Sequence, residues 1–131
     1  MFLFLIACVG SPYTDELEDA EQRWADAAID AYTYELTWRC FCPAGGVPVA
    51  IEVQGGEVVA ATPAEPLDEV PDDTVPDLFA IVSDAIASEP DSLDVTYDAT
   101  LGYPTRLDVD PMVNALDEEY GFEARDLAPV E

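Results

Sequence analysis

Three cysteines carry most of the chemistry open to this sequence: Cys8 stands at the end of an apolar run, and Cys40 and Cys42 are separated by one residue. The 131 residues include no histidine, and the four basic side chains are all arginine: Arg23, Arg39, Arg106 and Arg125. Ser-His-Asp, Cys-His and Schiff-base schemes are therefore unavailable. The serines, Ser11, Ser83, Ser88 and Ser92, fall in a tether, a helix or helix ends with no partner base. For Cys40 and Cys42 three arrangements compete: a disulfide, two buried thiols on a core face, and a metal or redox centre. In a regular strand the Cβ atoms of residues i and i+2 lie about 6–7 Å apart, beyond the roughly 3.5–4.5 Å of a disulfide, so a bond requires the chain to bend. Pro43 directly afterwards suits such a bend. A closed zinc site wants four ligands, and this chain offers no histidine and no further cysteine beyond Cys8.

Carboxylates are the second chemical resource. There are 29 Asp and Glu residues, and the formal net charge is −25. Asp94, Asp98, Asp108 and Asp110 are expected together on the outward face of a late hairpin, beside Arg106, where facing like charges destabilise. Such crowding invites a hard cation, and calcium is the one cofactor considered. No Asp-x-Asp-x-Asp-Gly loop is present, however, and so acidic a chain produces clusters by chance, so a solvated acidic face is the simpler reading. Two carboxylates can run glycoside hydrolysis, but no pair stands out from the background, and the chain is read as non-enzymatic. Gly102-Tyr103-Pro104 suits a turn, with Tyr103 as a candidate contact residue if exposed. The charge also argues against nucleic acid, because no basic patch can displace counterions from a phosphate backbone. Adaptation to salt accounts for the composition without any ligand.

Residues 1–8 read as an export signal that ends at a lipidation cysteine. The run Met1–Val9 is far shorter than the roughly 20 apolar residues needed to cross a bilayer. Leu5-Ile6-Ala7-Cys8 matches the bacterial lipobox, in which the cysteine is acylated, although the usual basic n-region is missing. Residues 9–13 then read as a tether and residues 14–131 as a single acidic domain, since this length supports one core. Lipidation of Cys8 leaves Cys40 and Cys42 as an even pair.

The elements that must position these groups follow from periodicity. Leu17, Ala20, Trp24, Ala27, Ala28 and Ala31 recur at helical spacing from Thr14. Period two then takes over: Tyr32, Tyr34, Leu36, Trp38, Cys40 and Cys42 alternate with Thr33, Glu35, Thr37, Arg39 and Phe41 as one long strand. Val47, Val49, Ile51 and Val53 lead into Gly55-Gly56, a two-residue hairpin that sets Gln54 against Glu57, Val53 against Val58 and Ile51 against Ala60. A proline-rich crossing leads to a second helix, with Thr74 and Asp77 as a capping box and Val75, Leu78, Phe79, Val82, Ala85 and Ile86 on one face. Leu93-Val95-Tyr97 and Thr105-Leu107-Val109 form a second hairpin across Leu101–Pro104, a helical turn is expected between Pro111 and Tyr120, and Gly121 opens a last short strand. The order α-β-β-β-α-β-β-β predicts an α+β fold, an antiparallel sheet of about six strands with two helices packed on one face.

Trp38-Arg39-Cys40-Phe41-Cys42, Thr74-Val75-Pro76-Asp77-Leu78-Phe79, Tyr97-Asp98 to Leu101-Gly102-Tyr103-Pro104, and Asp117-Glu118-Glu119-Tyr120-Gly121-Phe122 together resemble a family of small bacterial secreted proteins and lipoproteins of unknown function. The resemblance covers roughly residues 20–127 and implies export and a compact α+β domain. It implies no catalytic or binding residue. The expectation from the sequence is a lipid-anchored, extracytoplasmic, non-catalytic domain that binds an envelope or extracellular protein. The alternatives are a cation-binding or salt-adapted structural lipoprotein that uses its acidic face and, behind it, a carboxylate-based hydrolase.

Overall fold

The computed structural model describes residues 11–112 and 119–130. Cys8 and the centre of the helical turn expected between Pro111 and Tyr120 lie outside these residues. Two helices and six strands follow one another as α1 (Pro12–Ala27), β1 (Tyr32–Arg39), β2 (Pro48–Gln54), β3 (Glu57–Pro63), α2 (Val75–Ala87), β4 (Ser92–Tyr97), β5 (Pro104–Asp110) and β6 (Tyr120–Pro129). The fold is the expected α+β arrangement, and every strand pair is antiparallel. Among the described residues no helix is long and apolar enough to cross a membrane.

Helix α1 starts two residues earlier than its apolar periodicity indicates. The Ser11 hydroxyl accepts the Thr14 N–H at 3.2 Å, and Pro12 occupies the first turn with its φ already suited to it. Ser11, Pro12 and Tyr13, read as tether, are thus the cap and first turn of the helix. The helix ends at Ala27 instead of running to Ala31, because Ala28 takes a left-handed φ of 51° and returns its N–H to Ala25 O at 3.1 Å. Helix α2 is closed by the expected capping box: Asp77 N–H donates to the Thr74 hydroxyl at 3.2 Å, and Thr74 N–H donates to the Asp77 carboxylate at 2.9 Å.

The sheet runs β3-β2-β1-β6-β5-β4, so its centre joins the first strand to the last. Strand β6 is therefore a ten-residue central strand, where a short one was expected. Alternate residues of the four inner strands point to one face: Tyr32, Tyr34 and Leu36, then Val49, Ile51 and Val53, then Leu107 and Val109, then Phe122 and Ala124. Leu17 and Ala20 of α1 and Val75, Leu78, Phe79, Val82 and Ala85 of α2 close over them as one core. The opposite face is polar.

One local feature departs from the expected register. In the first hairpin Gly55 and Gly56 adopt φ of 61° and 80°, as a two-residue turn demands, and Val53 meets Val58. A bulge follows, which leaves Val59 55 % exposed and sets Ala60 against Glu52 and Ala61 against Ile51. This corrects the Ala60–Ile51 pairing: the extra residue returns Ala61, not Ala60, to the buried face. Gly121, in β6, lies against β5 so closely that a Cβ would fall 1.8 Å from Leu107 O.

Gly121→Ala is expected to destabilise the domain by about 3 kcal/mol or more, because backbone must move in the middle of the sheet. Gly55→Ala, with open space around its Cβ, should cost about 1 kcal/mol through its positive φ alone. Urea denaturation of both variants checks the ranking, which equal losses would contradict.

Candidate functional site

The inward side chains of β1 do more than fill the core. Tyr32 Oη accepts the Val75 N–H at 2.8 Å, the Tyr34 hydroxyl donates to Asp73 O, and Trp38 Nε1 donates to the Asp73 carboxylate at 3.2 Å. Three aromatic residues on one face of a single strand, at positions 32, 34 and 38, thereby hold the segment 73–75 that opens α2. Their rings also support one another. Trp24 of α1 meets Tyr32 edge-on at 5.3 Å, and Phe122 of β6 meets Trp38 edge-on at 5.8 Å. Burial pushes both the Tyr32 and Tyr34 phenols above their ordinary range, so they remain neutral hydroxyls. Burial also raises the Asp73 carboxyl, against the opposing effect of the Trp38 hydrogen bond, and the nearby Asp77 and Asp72 charges add to the rise.

Strand β1 stops at Arg39, so Cys40 and Cys42 do not continue the ladder as the alternation suggested. The chain bends instead. Gly45 N–H donates to Cys42 O at 2.9 Å and Gly46 N–H to Trp38 O at 2.7 Å. Gly45 is needed there, since a Cβ would lie 2.4 Å from Cys40 O. The bend brings the Cα atoms of Cys40 and Cys42 to 5.2 Å, within disulfide range, and their sulfurs into close contact. Phe41 between them turns outward and is 81 % exposed.

Two grooves flank this turn. One, of about 650 Å³, is lined by Arg39, Asp108 and Asp110 together with Phe41 and Tyr120. The other, of about 710 Å³, is largely apolar and lies between Trp38, Pro43, Val70, Pro71 and the two cysteines. Its far wall belongs to the proline-rich crossing before α2, which Asp73 ties to β1. Composition alone did not reveal this site. Its only sequence signal was a Cys-x-Cys pair followed by proline at the end of an aromatic strand.

The carboxylates expected to crowd one face are separated by the structure. Asp94 and Asp108 do face each other across β4 and β5. Asp108 is matched by Arg106 at 2.6 Å and by Arg39 at 3.2 Å, which reaches it across Gly121, where no side chain intervenes. Asp98 is not on that face. Its carboxylate accepts the N–H groups of Thr100 and Leu101 at 3.1 and 2.7 Å and so shapes the loop after β4. Asp110, which lines the groove beside Phe41, pairs with Ser92 in the ladder, and its Oδ1 is buried without a hydrogen-bond partner among the described residues. Among the described residues no three His, Cys, Asp or Glu side chains are grouped to hold a metal ion.

Tyr103 is not an exposed contact residue. It is 6 % exposed, and its hydroxyl meets the backbone of Leu127. The loop that carries it is a docking point for α1: at Gly102, with φ of 86°, a Cβ would lie 2.3 Å from Ala20 O, and Arg23 donates to the carbonyls of Asp98 and Ala99 at 3.3 and 3.0 Å. The turn expected at Leu101–Pro104 is accordingly a longer loop, 98–103, and Pro104 already pairs with Tyr97.

The raised carboxyl of Asp73 fixes the sign of a pH effect. A group whose folded-state pKa is raised favours the folded state at low pH, and that contribution is lost as pH rises through the folded value. Asp73→Asn keeps an acceptor for Trp38 and removes the charge. The variant should therefore melt at a higher temperature than the natural chain at pH 7, with the gain shrinking as pH falls toward the ordinary aspartate value of 3.8. Thermal melts across that range check it, and a variant that is less stable at pH 7 would contradict it.

No curated protein and no solved structure matches the chain. A family model does match, over residues 16–129, from the second turn of α1 to the end of β6. The chain therefore belongs to the family of unknown function DUF6174.

Proposed function

We propose that this domain is a non-catalytic binding module, anchored by a lipid on Cys8 outside the cytoplasm of a bacterium, which docks an envelope or extracellular protein at the Cys40–Cys42 end of its sheet. The observation that carries the reading is Phe41, an aromatic ring left 81 % exposed on a hydrogen-bonded turn between two grooves. Rigid aromatic anchors in desolvated pockets dominate protein interfaces, and a ring exposed in the free domain gains most when a partner covers it. The apolar groove beside it supplies surface for the rest of such a contact, with Asp68 and Glu69 as a polar rim. The lack of histidine and lysine fits a domain that binds without turning over a substrate. The net charge of −25 favours a protein or neutral envelope component over a polyanion.

Crosslinking in membranes of the native host, followed by intact-mass measurement of the extracted protein, tests both parts. The natural chain should carry an acyl-modified Cys8 as its first residue and recover a reproducible envelope or extracellular partner. Phe41→Ser should lose that partner while its melting temperature changes by about 2 °C or less, because the ring packs on little in the free domain. Recovery of the same partner by Phe41→Ser would overturn the docking site, and an unmodified Met1 would overturn the anchor.

A further inference from the structure

We propose that Cys40 and Cys42 form an exchangeable disulfide that reacts with the thiol of a partner, making the turn a thiol–disulfide exchange site as well as a contact surface. Three observations point to exchange over simple bracing. First, the two cysteines lie in one turn beyond the end of β1, so a bond between them joins no two elements of the fold. A cross-link stabilises mainly by restricting the unfolded chain, and the effect shrinks with the loop closed; a link across one residue restricts little. Second, Cys42 is exposed and Cys40 half-buried, so a thiolate from solvent has open access to one sulfur. Exposed disulfides are the ones that exchange, whereas structural ones are shielded. Third, both cysteines line the apolar groove of about 710 Å³ with Trp38, Pro43, Val70 and Pro71, which gives a cysteine-bearing peptide a place to lie beside Cys42.

In the step, a partner thiolate attacks Cys42 Sγ. The Cys40–Cys42 bond breaks, its electron pair leaves on Cys40 as thiolate, and a mixed disulfide joins Cys42 to the partner. A second thiolate on the partner then attacks the partner sulfur of that bond, which forms the partner's own disulfide and releases Cys42 as thiolate. The partner dithiol is oxidised by two electrons, and the Cys40–Cys42 pair is reduced by two and takes protons from solvent. Reverse exchange with a small-molecule disulfide restores the oxidised pair. The charge of the domain selects among thiols: a net −25 repels anionic ones and attracts cationic ones. The substrate class is thus neutral or basic cysteine-containing segments.

The test uses the full chain carrying Cys8→Ser, held folded, with cysteamine and reduced glutathione as probes at equal thiolate concentration. Cysteamine should open the pair while tryptophan fluorescence stays native, and faster than glutathione by tenfold or more at low salt, with the gap closing as salt rises. With cystamine as the disulfide probe, Cys40→Ser should gain one adduct at Cys42 at least tenfold faster than Cys42→Ser gains one at Cys40. A pair that is reduced only when the domain unfolds, equal adduct rates in the two variants, or two thiols that diamide does not couple would each overturn the proposal. None of these readouts involves Phe41 or a recovered partner, so exchange and docking can fail separately.

Discussion

The geometry around the cysteine turn depends on how β1 holds the start of α2. A helix N-terminus presents N–H groups with no partner in the helix, and the residues just before it must be fixed by something else. Here β1 supplies the fixing groups from alternate positions: the Tyr32 oxygen for the Val75 N–H, the Tyr34 hydroxyl for Asp73 O and the Trp38 indole for the Asp73 carboxylate. The two neutral hydrogen bonds, made by Tyr32 and Tyr34, contribute about 1 kcal/mol net each, and with the Trp38 bond to the carboxylate they act on neighbouring residues of one segment. The thirteen-residue helix α2 then presses Leu78, Phe79 and Val82 onto the sheet. The same hold fixes the end of the crossing that brings Val70 and Pro71 opposite Trp38, which makes a groove beside the cysteine turn. Fold and site share one strand.

Electrostatics explains why so acidic a chain can still close this sheet. Three of its four arginines are spent on the polar face: Arg39 and Arg106 on Asp108, Arg106 also near Glu123, and Arg125 on Glu35 at 2.8 Å. These contacts are partly exposed and each contributes little by itself. Their placement matters more, because Arg39 and Arg106 relieve the facing pair Asp94 and Asp108, and Arg39 reaches its partner only because Gly121 leaves a gap between them. The fourth, Arg23, ties α1 to the loop after β4. Other carboxylates serve the backbone and side chains instead: Asp77 caps α2, Asp98 shapes the loop after β4 and Asp73 accepts from Trp38.

The element order and the buried faces were legible because they are local. Period-two alternation in β1, β2 and β5, the Gly-Gly turn and the Thr74–Asp77 capping box each act over a few residues. What was not legible depends on partners distant in sequence. Alternation carried β1 on to Cys42, yet the ladder ends at Arg39, where Gly45 and Gly46 fold back on Trp38 and Cys42. Asp98 counted as an outward strand residue, but the loop it caps is shaped by α1 docking on Gly102. That docking also buries Tyr103, a residue whose type and turn context suggested exposure. The centrality of β6 could not be read from its sequence, since it follows from pairing with a strand some ninety residues earlier. The candidate site was half legible: the cysteine pair was visible, whereas the grooves on either side of it arise from tertiary contacts.

Hydrogen exchange at the Val75 amide tests the central claim, that the aromatic side chains of β1 anchor the start of α2. That N–H has no helical partner of its own and is protected through Tyr32 Oη alone. In Tyr32→Phe, compared with the natural chain under native conditions, the Val75 amide should lose its protection and exchange at least tenfold faster. The amides of Leu78 and Val82, deeper in α2, should stay slow. Equal protection of Val75 in both chains would contradict the account, because the helix start would then be held by something other than the strand beneath it.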